Sequence, residues 1–457
     1  MPRTVTPSAD KSAARRSTGR AIRGLAIPAF GALIAEPLFL LADSAIVGHL
    51  GVSELAGVGL AATVLQTIVG LMVFLAYSTT PAVARLLGAG RHAEALAVGR
   101  DGLWLAAILG LVLAGAGMAA GDRLLGAMGA QGELHAHANA YFTISLAGLP
   151  AMLLAMAAMG VLRGLQDTKT PLIVAGAGFG INIVLNFVLV YGFDLSVSGA
   201  ALGTVAAQWA MAIVYLTIVV RAARRYDISL RPDWKGVRAV TRVGSWLMLR
   251  TLSLRAAILV TVLVVTAQGS SNLAAHQLAM TIFTFLAFAL DALAIAAQAL
   301  IGKELGAGNI AEVRVLTKTM TQWGLGFGVL TGLLLAAAST SAGWLFTTDT
   351  GVHAGLTAAL LVMAIGQPLA GYVFVLDGVL IGAGDARYLA LAGLCNLVVY
   401  LPLLFWISQA NFGDSVPGLF WVWVAFSVGY MGARGLTLGL RARTGSWMRV
   451  GAVAGRG

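Results

Sequence analysis

Four carboxylates stand inside long apolar runs: Glu36, Asp43, Asp291 and Asp377. Arg250 and Arg255 are their basic counterparts, both within a further run. A charge at membrane depth costs about 3 kcal/mol or more, so such a residue faces a cavity or a partner and marks function. Glu36 and Asp43 are seven apart and share a helix face, with Pro28 and Pro37 interrupting that helix and offering a point of bending. Asn182 and Asn186 are four apart on one face, and Thr204 in the following run is placed to join them. Amide and hydroxyl oxygens suit a protonated carboxyl or a hard cation. A buried carboxylate that takes up and gives back a proton would make Asp43 neutral from one side of a membrane and charged from the other. The chemistry on offer is cation binding and release, with no catalytic residue and no metal site. No HExxH, Walker A or Gly-x-Ser-x-Gly string occurs, and the single cysteine, Cys395, cannot form an intrachain disulfide. Gly382–Asp385 spells the GxGD of intramembrane aspartyl proteases, but the one Tyr-Asp pair, Tyr226–Asp227, lies in an arginine-rich stretch, so that reading is set aside.

Long apolar elements must hold these groups. Of 457 residues, 59% are hydrophobic and only 11% charged, with mean hydropathy +0.87. A soluble domain carries about 25% charge. Twelve runs are long enough to span a bilayer: 25–48, 55–80, 97–120, 139–161, 172–193, 197–220, 244–266, 273–301, 317–340, 356–380, 388–409 and 417–440. They are too long for barrel strands, so the expected fold is an all-α integral membrane protein of twelve transmembrane helices. The basic residues alternate between loop sets: one set, with the segment 221–243 and both ends of the chain, Arg434 and Arg441 among them, holds nearly all of them, and the other holds Arg123 alone. That bias places both termini in the cytoplasm and explains the net charge of +11 without nucleic acid. The expected domains are a basic cytoplasmic tail 1–23, read as uncleaved and disordered, a six-helix lobe 24–220, a basic linker 221–243, a second lobe 244–440 and a cytoplasmic tail 441–457.

The chain also repeats itself. A shift of 218 lays 51–95 on 269–313 without a gap, matching Leu87–Gly90 with Leu305–Gly308, and lays Pro150, Gly160, Gly164 and Asp167 on Pro368, Gly378, Gly382 and Asp385. Six spans per half is an even number, so the repeat is parallel, with a pseudo-two-fold axis along the membrane normal, as in transporters that rock two bundles about a central site. Asp43, Glu36, Asp291 and Asp377 map onto Thr261, Leu254, Val73 and Met159, so the fold is duplicated and the buried acids are not.

The chain resembles the multidrug and toxic compound extrusion (MATE) transporters, in their DNA-damage-inducible F (DinF) branch. The segments that carry the likeness are LADSAIVGHL at 41–50, NIVLN at 182–186, GAALGTV at 199–205, ALD at 289–291 and LDGVLIGA at 376–383, over about residues 22–440. The resemblance implies two six-helix lobes that export amphipathic, cationic compounds across the plasma membrane by alternating access in exchange for H⁺ or Na⁺. It makes Asp43 the coupling carboxylate and matches Asn182 and Thr204 to the polar network around it, which Asn186 joins by its spacing from Asn182. Many members carry a second Asp where this chain has Asn186, which favours H⁺ over Na⁺. Asp291 and Asp377 match second-lobe positions and, with Glu36, Arg250 and Arg255, form a secondary charged set, either paired with one another or on the substrate side of the cleft. No cofactor beyond the coupling ion is implied. The expected partners are small-molecule substrates and membrane lipid, with the chain acting as a monomer. The alternative is a flippase for lipids or lipid-linked oligosaccharides, which would need Arg250 and Arg255 facing the cleft.

Overall fold

The computed structural model describes residues 7–410 and 412–452, with side chains from Thr18 onward except those of Glu36 and Leu40. Its helices are α1 (Pro7–Gly48), α2 (Val52–Gly88), α3 (His92–Ala127), α4 (Gly132–Leu146 and Leu149–Gly164, bent by 49°), α5 (Lys169–Gly192), α6 (Ser196–Arg225), α7 (Trp234–Gln268), α8 (Ser270–Gly306), α9 (Ile310–Ala338), α10 (Thr350–Gly382), α11 (Ala386–Gln409) and α12 (Val416–Thr444). Eleven are long and apolar enough to cross a membrane, and the bent α4 makes a twelfth. Each falls on one of the twelve apolar runs. Large apolar side chains such as Leu259, Leu263, Leu333, Val398 and Phe405 are exposed on the outer faces, where acyl chains replace water.

The helices overrun the apolar segments at their basic ends. α1 begins at Pro7, so residues 7–23, expected to be disordered, continue the helix. There Thr18 Oγ1 donates to Glu312 Oε1 at 3.4 Å, and Gly19 lies against the Trp323 ring. α6 runs to Arg225 and α7 starts at Trp234, which shrinks the irregular part of the linker to 226–233. The described residues divide into two compact units: 27–245, and 246 onward together with the start of α1 up to Ala26.

The linker is tied down within the first unit. Buried Asp101, on α3, accepts from Arg100 Nε at 2.9 Å and from the Asp233 backbone N–H at 3.2 Å. Arg100 and Trp104 donate to the carbonyls of Ser229 and Leu230 at 2.8 and 3.0 Å. Asp101→Ala is expected to free this segment and speed tryptic cleavage after Arg225, where the irregular stretch begins, about tenfold, since each bond to a charged group contributes about 1.5 kcal/mol or more. Limited proteolysis read by mass spectrometry checks this, and an unchanged cleavage rate would contradict the anchoring role.

The repeat seen in sequence is present in the packing of each unit. In the first unit a Cβ on Gly160 of α4 would lie 3.0 Å from the Ala76 carbonyl of α2, and one on Gly110 of α3 would lie 2.5 Å from Pro150 Cα. In the second unit the positions 218 residues later do the same: Gly378 of α10 meets the Ala294 carbonyl of α8 at 2.5 Å, and Gly328 of α9 meets Pro368 Cα at 2.7 Å. Only glycine admits backbones this close, as small-residue packing in membranes requires. The helix ends repeat too. Gly90 and Gly308 both take left-handed φ, +75° and +77°, as residues just past the ends of α2 and α8. The following N–H groups, of Arg91 and Asn309, return to Leu86 and Glu304 at 2.9 Å each, which is the six-to-one bond that closes a helix.

Candidate functional site

The site lies within the first unit, and four helices build it. α1 contributes Asp43, one half of bent α4 contributes Tyr141, α5 contributes Asn182 and Asn186, and α6 contributes Thr204. Bending at Gly148–Pro150 turns the Tyr141 half of α4 to its own course. The GAALGT stretch of α6 lets α5 lie on its backbone: a Cβ on Gly203 would sit 2.0 Å from Asn186 Oδ1 and 3.0 Å from the Asn186 nitrogen. Immediately after Asn186, α5 widens into a π-helical turn, Val188–Gly192, a feature frequent at functional sites.

Asp43 is 5% exposed. Asn186 Nδ2 donates to its Oδ1 at 2.5 Å, and the Tyr141 hydroxyl donates to its Oδ2 at 3.2 Å. Asn186 Nδ2 also reaches Asn182 Oδ1 at 3.3 Å, and Asn182 Nδ2 donates to Thr204 Oγ1 at 3.1 Å. The four residues named from sequence thus form one hydrogen-bonded chain. Tyr141 was not foreseen, because a lone tyrosine in an apolar span carries no spacing signal. The surroundings are apolar: Val47, Val58, Ala61, Val64, Val190 and Val197 belong to the buried cluster that includes Tyr141. Among the described residues no cationic side chain pairs with Asp43. Asn186 Oδ1 is buried and has no hydrogen-bond partner among the described residues.

The secondary charged set is only partly assembled. In the second unit Arg250 of α7 clasps Asp377 of α10, with Nε 3.1 Å from Oδ1 and a second, close contact from its terminal nitrogen to Oδ2. Arg434 of α12, grouped with the cytoplasmic basic residues in the sequence reading, is instead buried and donates to Asp377 Oδ2 at 3.4 Å. Arg255 is exposed, and Asp291 is half-buried on α8 and does not line the cavity at Asp377. Glu36 belongs to α1, but its side chain lies outside the described residues.

The MatE family profile matches residues 28–188 and 248–406, which together exceed half of the chain. Protein DETOXIFICATION 44, chloroplastic, of Arabidopsis thaliana is 30% identical over 446 residues, covering 94% of this chain and 83% of the relative. DNA damage-inducible protein F of Escherichia coli is 29% identical over 448 residues, covering 94% of both. Among solved structures, a MATE protein in the bent conformation superposes with TM-score 0.85 at 25% identity, covering 94% of this chain and 96% of that one. The Vibrio cholerae MATE transporter VcmN in the bent form gives 0.85 at 24% identity, covering 95% and 98%. The DinF likeness read from the sequence is borne out, and the family is one of transporters rather than enzymes. The chain is an all-α, multi-pass membrane protein and belongs to the MatE family, the multidrug and toxic compound extrusion transporters.

Proposed function

We propose that this protein is a secondary antiporter of the plasma membrane, exporting amphipathic, cationic organic compounds by alternating access in exchange for inward H⁺ carried by Asp43. The observation that carries this reading is a carboxylate buried among apolar residues and hydrogen-bonded by neutral donors, with no cationic side chain beside it. An ionised carboxylate without a counter-ion is expensive in such a place, so its charge must be balanced by an ion that comes and goes. Similar proteins include the multidrug resistance protein MdtK of Edwardsiella ictaluri, 26% identical over 93% of this chain. The alternation of basic loops supports cytoplasmic placement of both termini.

The hydrogen-bond chain supports a proton as the coupling ion. Both carboxylate oxygens of Asp43 accept from N–H or O–H donors, the pattern of the ionised form. Once a proton sits on Asp43, a half-turn of the Asn186 amide presents Oδ1 as acceptor, and the 2.5 Å separation suits an O–H···O bond. That rotation gives the unpartnered Oδ1 a donor, and in exchange it breaks the Nδ2 bond to Asn182 Oδ1 and turns Nδ2 towards Gly203. The amide thus reports the protonation state of α1 to α5, next to the π-helical turn. Sodium would need several lone pairs aimed at one point, whereas the amide and phenol here aim hydrogens at the carboxylate.

Dye efflux from everted vesicles tests the coupling. An imposed pH gradient without Na⁺ is expected to drive it. Transport that starts only when Na⁺ is added would overturn proton coupling. Tyr141→Phe removes one donor to the ionised carboxylate and is expected to slow efflux about tenfold, the equivalent of ~1.5 kcal/mol. An initial rate equal to wild type would remove Tyr141 from the site. No observation favours the flippase alternative: Arg250 is engaged by Asp377.

A further inference from the structure

We propose that the groove along the last turns of α6, at Arg221 and Arg225 in the first unit, binds the phosphate headgroup of an anionic membrane lipid. The groove has a volume of about 630 Å³ and is lined by Ile218, Arg221, Ala222, Arg225 and Tyr226. Ligand pockets hold about 300–1,000 Å³, so a headgroup fits. Val214, Ile218, Arg221 and Arg225 recur at spacings of four, three and four, and so form one stripe along α6. Val214 and its neighbour Ile213 are exposed, 45% and 57%, as side chains facing acyl chains are. The stripe thus passes from apolar to basic over about three turns, in the same order as a phospholipid passes from acyl chain to phosphate.

The depth is right for a headgroup. α6 has 30 residues. It is therefore about 45 Å long against a hydrocarbon core of about 30 Å, and its arginine end emerges into the polar layer. Exposed Trp104, Tyr226 and Trp234 surround that end, as aromatic residues do at a membrane interface. The arginines are also unspent. Among the described residues Arg221, Arg224 and Arg225 make no hydrogen bond or ion pair. They do not cap α6: the Ala223 carbonyl accepts from the Tyr226 and Ile228 backbone N–H groups at 3.1 Å each, and the Arg224 carbonyl from that of Asp227 at 3.2 Å. The nearest buried acid, Asp101, is taken by Arg100 and the Asp233 N–H. Like charges four apart disfavour a helix unless an anion lies between them. A phosphodiester offers two oxygens there, one to each guanidinium fork. A soluble phosphate would meet the same forks but leave the apolar part of the stripe unused, so the occupant is a lipid. Held there, it would fasten the end of α6 and the linker after it to the membrane surface. The inference does not depend on the Asp43 reading.

The test is native mass spectrometry of the purified full-length protein in detergent. It is titrated with phosphatidylglycerol, with phosphatidylcholine, and with inorganic phosphate as competitor. Wild type is expected to prefer phosphatidylglycerol to phosphatidylcholine at least about tenfold. Arg221→Gln with Arg225→Gln is expected to weaken phosphatidylglycerol binding about twenty-five-fold, from about fivefold per arginine. Arg231→Gln with Arg238→Gln removes the same charge outside the groove and should weaken it less than about threefold. Equal losses in the two double variants would mean diffuse attraction and overturn the site. Ala222→Glu puts a carboxylate inside the groove, one turn from Arg225, and should match the groove variant; it decides the matter if that variant does not fold. Displacement of phosphatidylglycerol by equimolar phosphate would assign a soluble anion and overturn the lipid. Asp43→Asn should bind lipid as wild type does, so failure of proton coupling leaves this result standing. No preference for phosphatidylglycerol in wild type overturns the proposal.

Discussion

Asp43→Asn is expected to fold, insert and bind dye, yet to lose efflux driven by a pH gradient down to the vesicle background. Asparagine has nearly the shape of aspartate, and its carbonyl oxygen can still accept from Asn186 or Tyr141, which hold the two carboxylate oxygens at 2.5 and 3.2 Å. The expected loss of stability is therefore about 1 kcal/mol. What the variant lacks is a group that changes charge. It resembles the protonated state permanently, so α1 and α5 receive no signal when the outside proton concentration changes. The defect should appear in the transport rate and not in the equilibrium binding of dye, measured by fluorescence anisotropy on purified protein. Efflux within a few-fold of wild type would show that another group couples transport. Asp43→Glu keeps a titrating group but adds a methylene to a packed, buried site, and should fall between the two.

Gly328→Leu is expected to cost at least about 3 kcal/mol and to abolish recovery of folded protein from the membrane. A Cβ at this position would lie 2.4 Å from the Gln367 carbonyl oxygen and 2.7 Å from Pro368 Cα. Both are backbone, so no side chain can swing aside; α9 and α10 must separate. The contact is one of a ladder that includes Gly324 against Gly371 and Gly332 against Ala364. α10 also carries Asp377, so the same separation would disturb its pairing with Arg250. Gly326→Leu is the control, because nothing lies within 4 Å of its Cβ position. Size-exclusion profiles and thermal half-lives in detergent should separate the two variants widely. Equal behaviour would mean that the close approach is not what holds these helices together.

These results bear on how much of the molecule was legible in its sequence. The twelve spans were, because charge is excluded from the bilayer and the gaps between charged residues mark it. Their polar ends were not: residues 7–23 and much of 221–243 continue as helix, since backbone hydrogen bonding goes on where apolar character stops. The repeat was legible, and Gly110 and Gly328 extend it to a pair that only the packing exposes. At the site, Asp43, Asn182, Asn186 and Thr204 could be named because a buried charge and an i,i+4 amide pair are rare. Tyr141 could not be named, as its hydroxyl is one polar atom on an apolar ring. Arg434 was misplaced for a different reason. It lies near the end of the last span, where basic residues usually snorkel to water, and only the three-dimensional position of Asp377 shows that it turns inward.

The most direct test of the central claim is to add a cationic dye to the purified, lightly buffered protein and follow the bulk pH. If Asp43 trades its proton for substrate, dye binding releases protons in wild type and none in Asp43→Asn, although both proteins bind the dye. Binding without proton release in wild type, or equal release in the variant, would contradict the assignment of Asp43 as the coupling group.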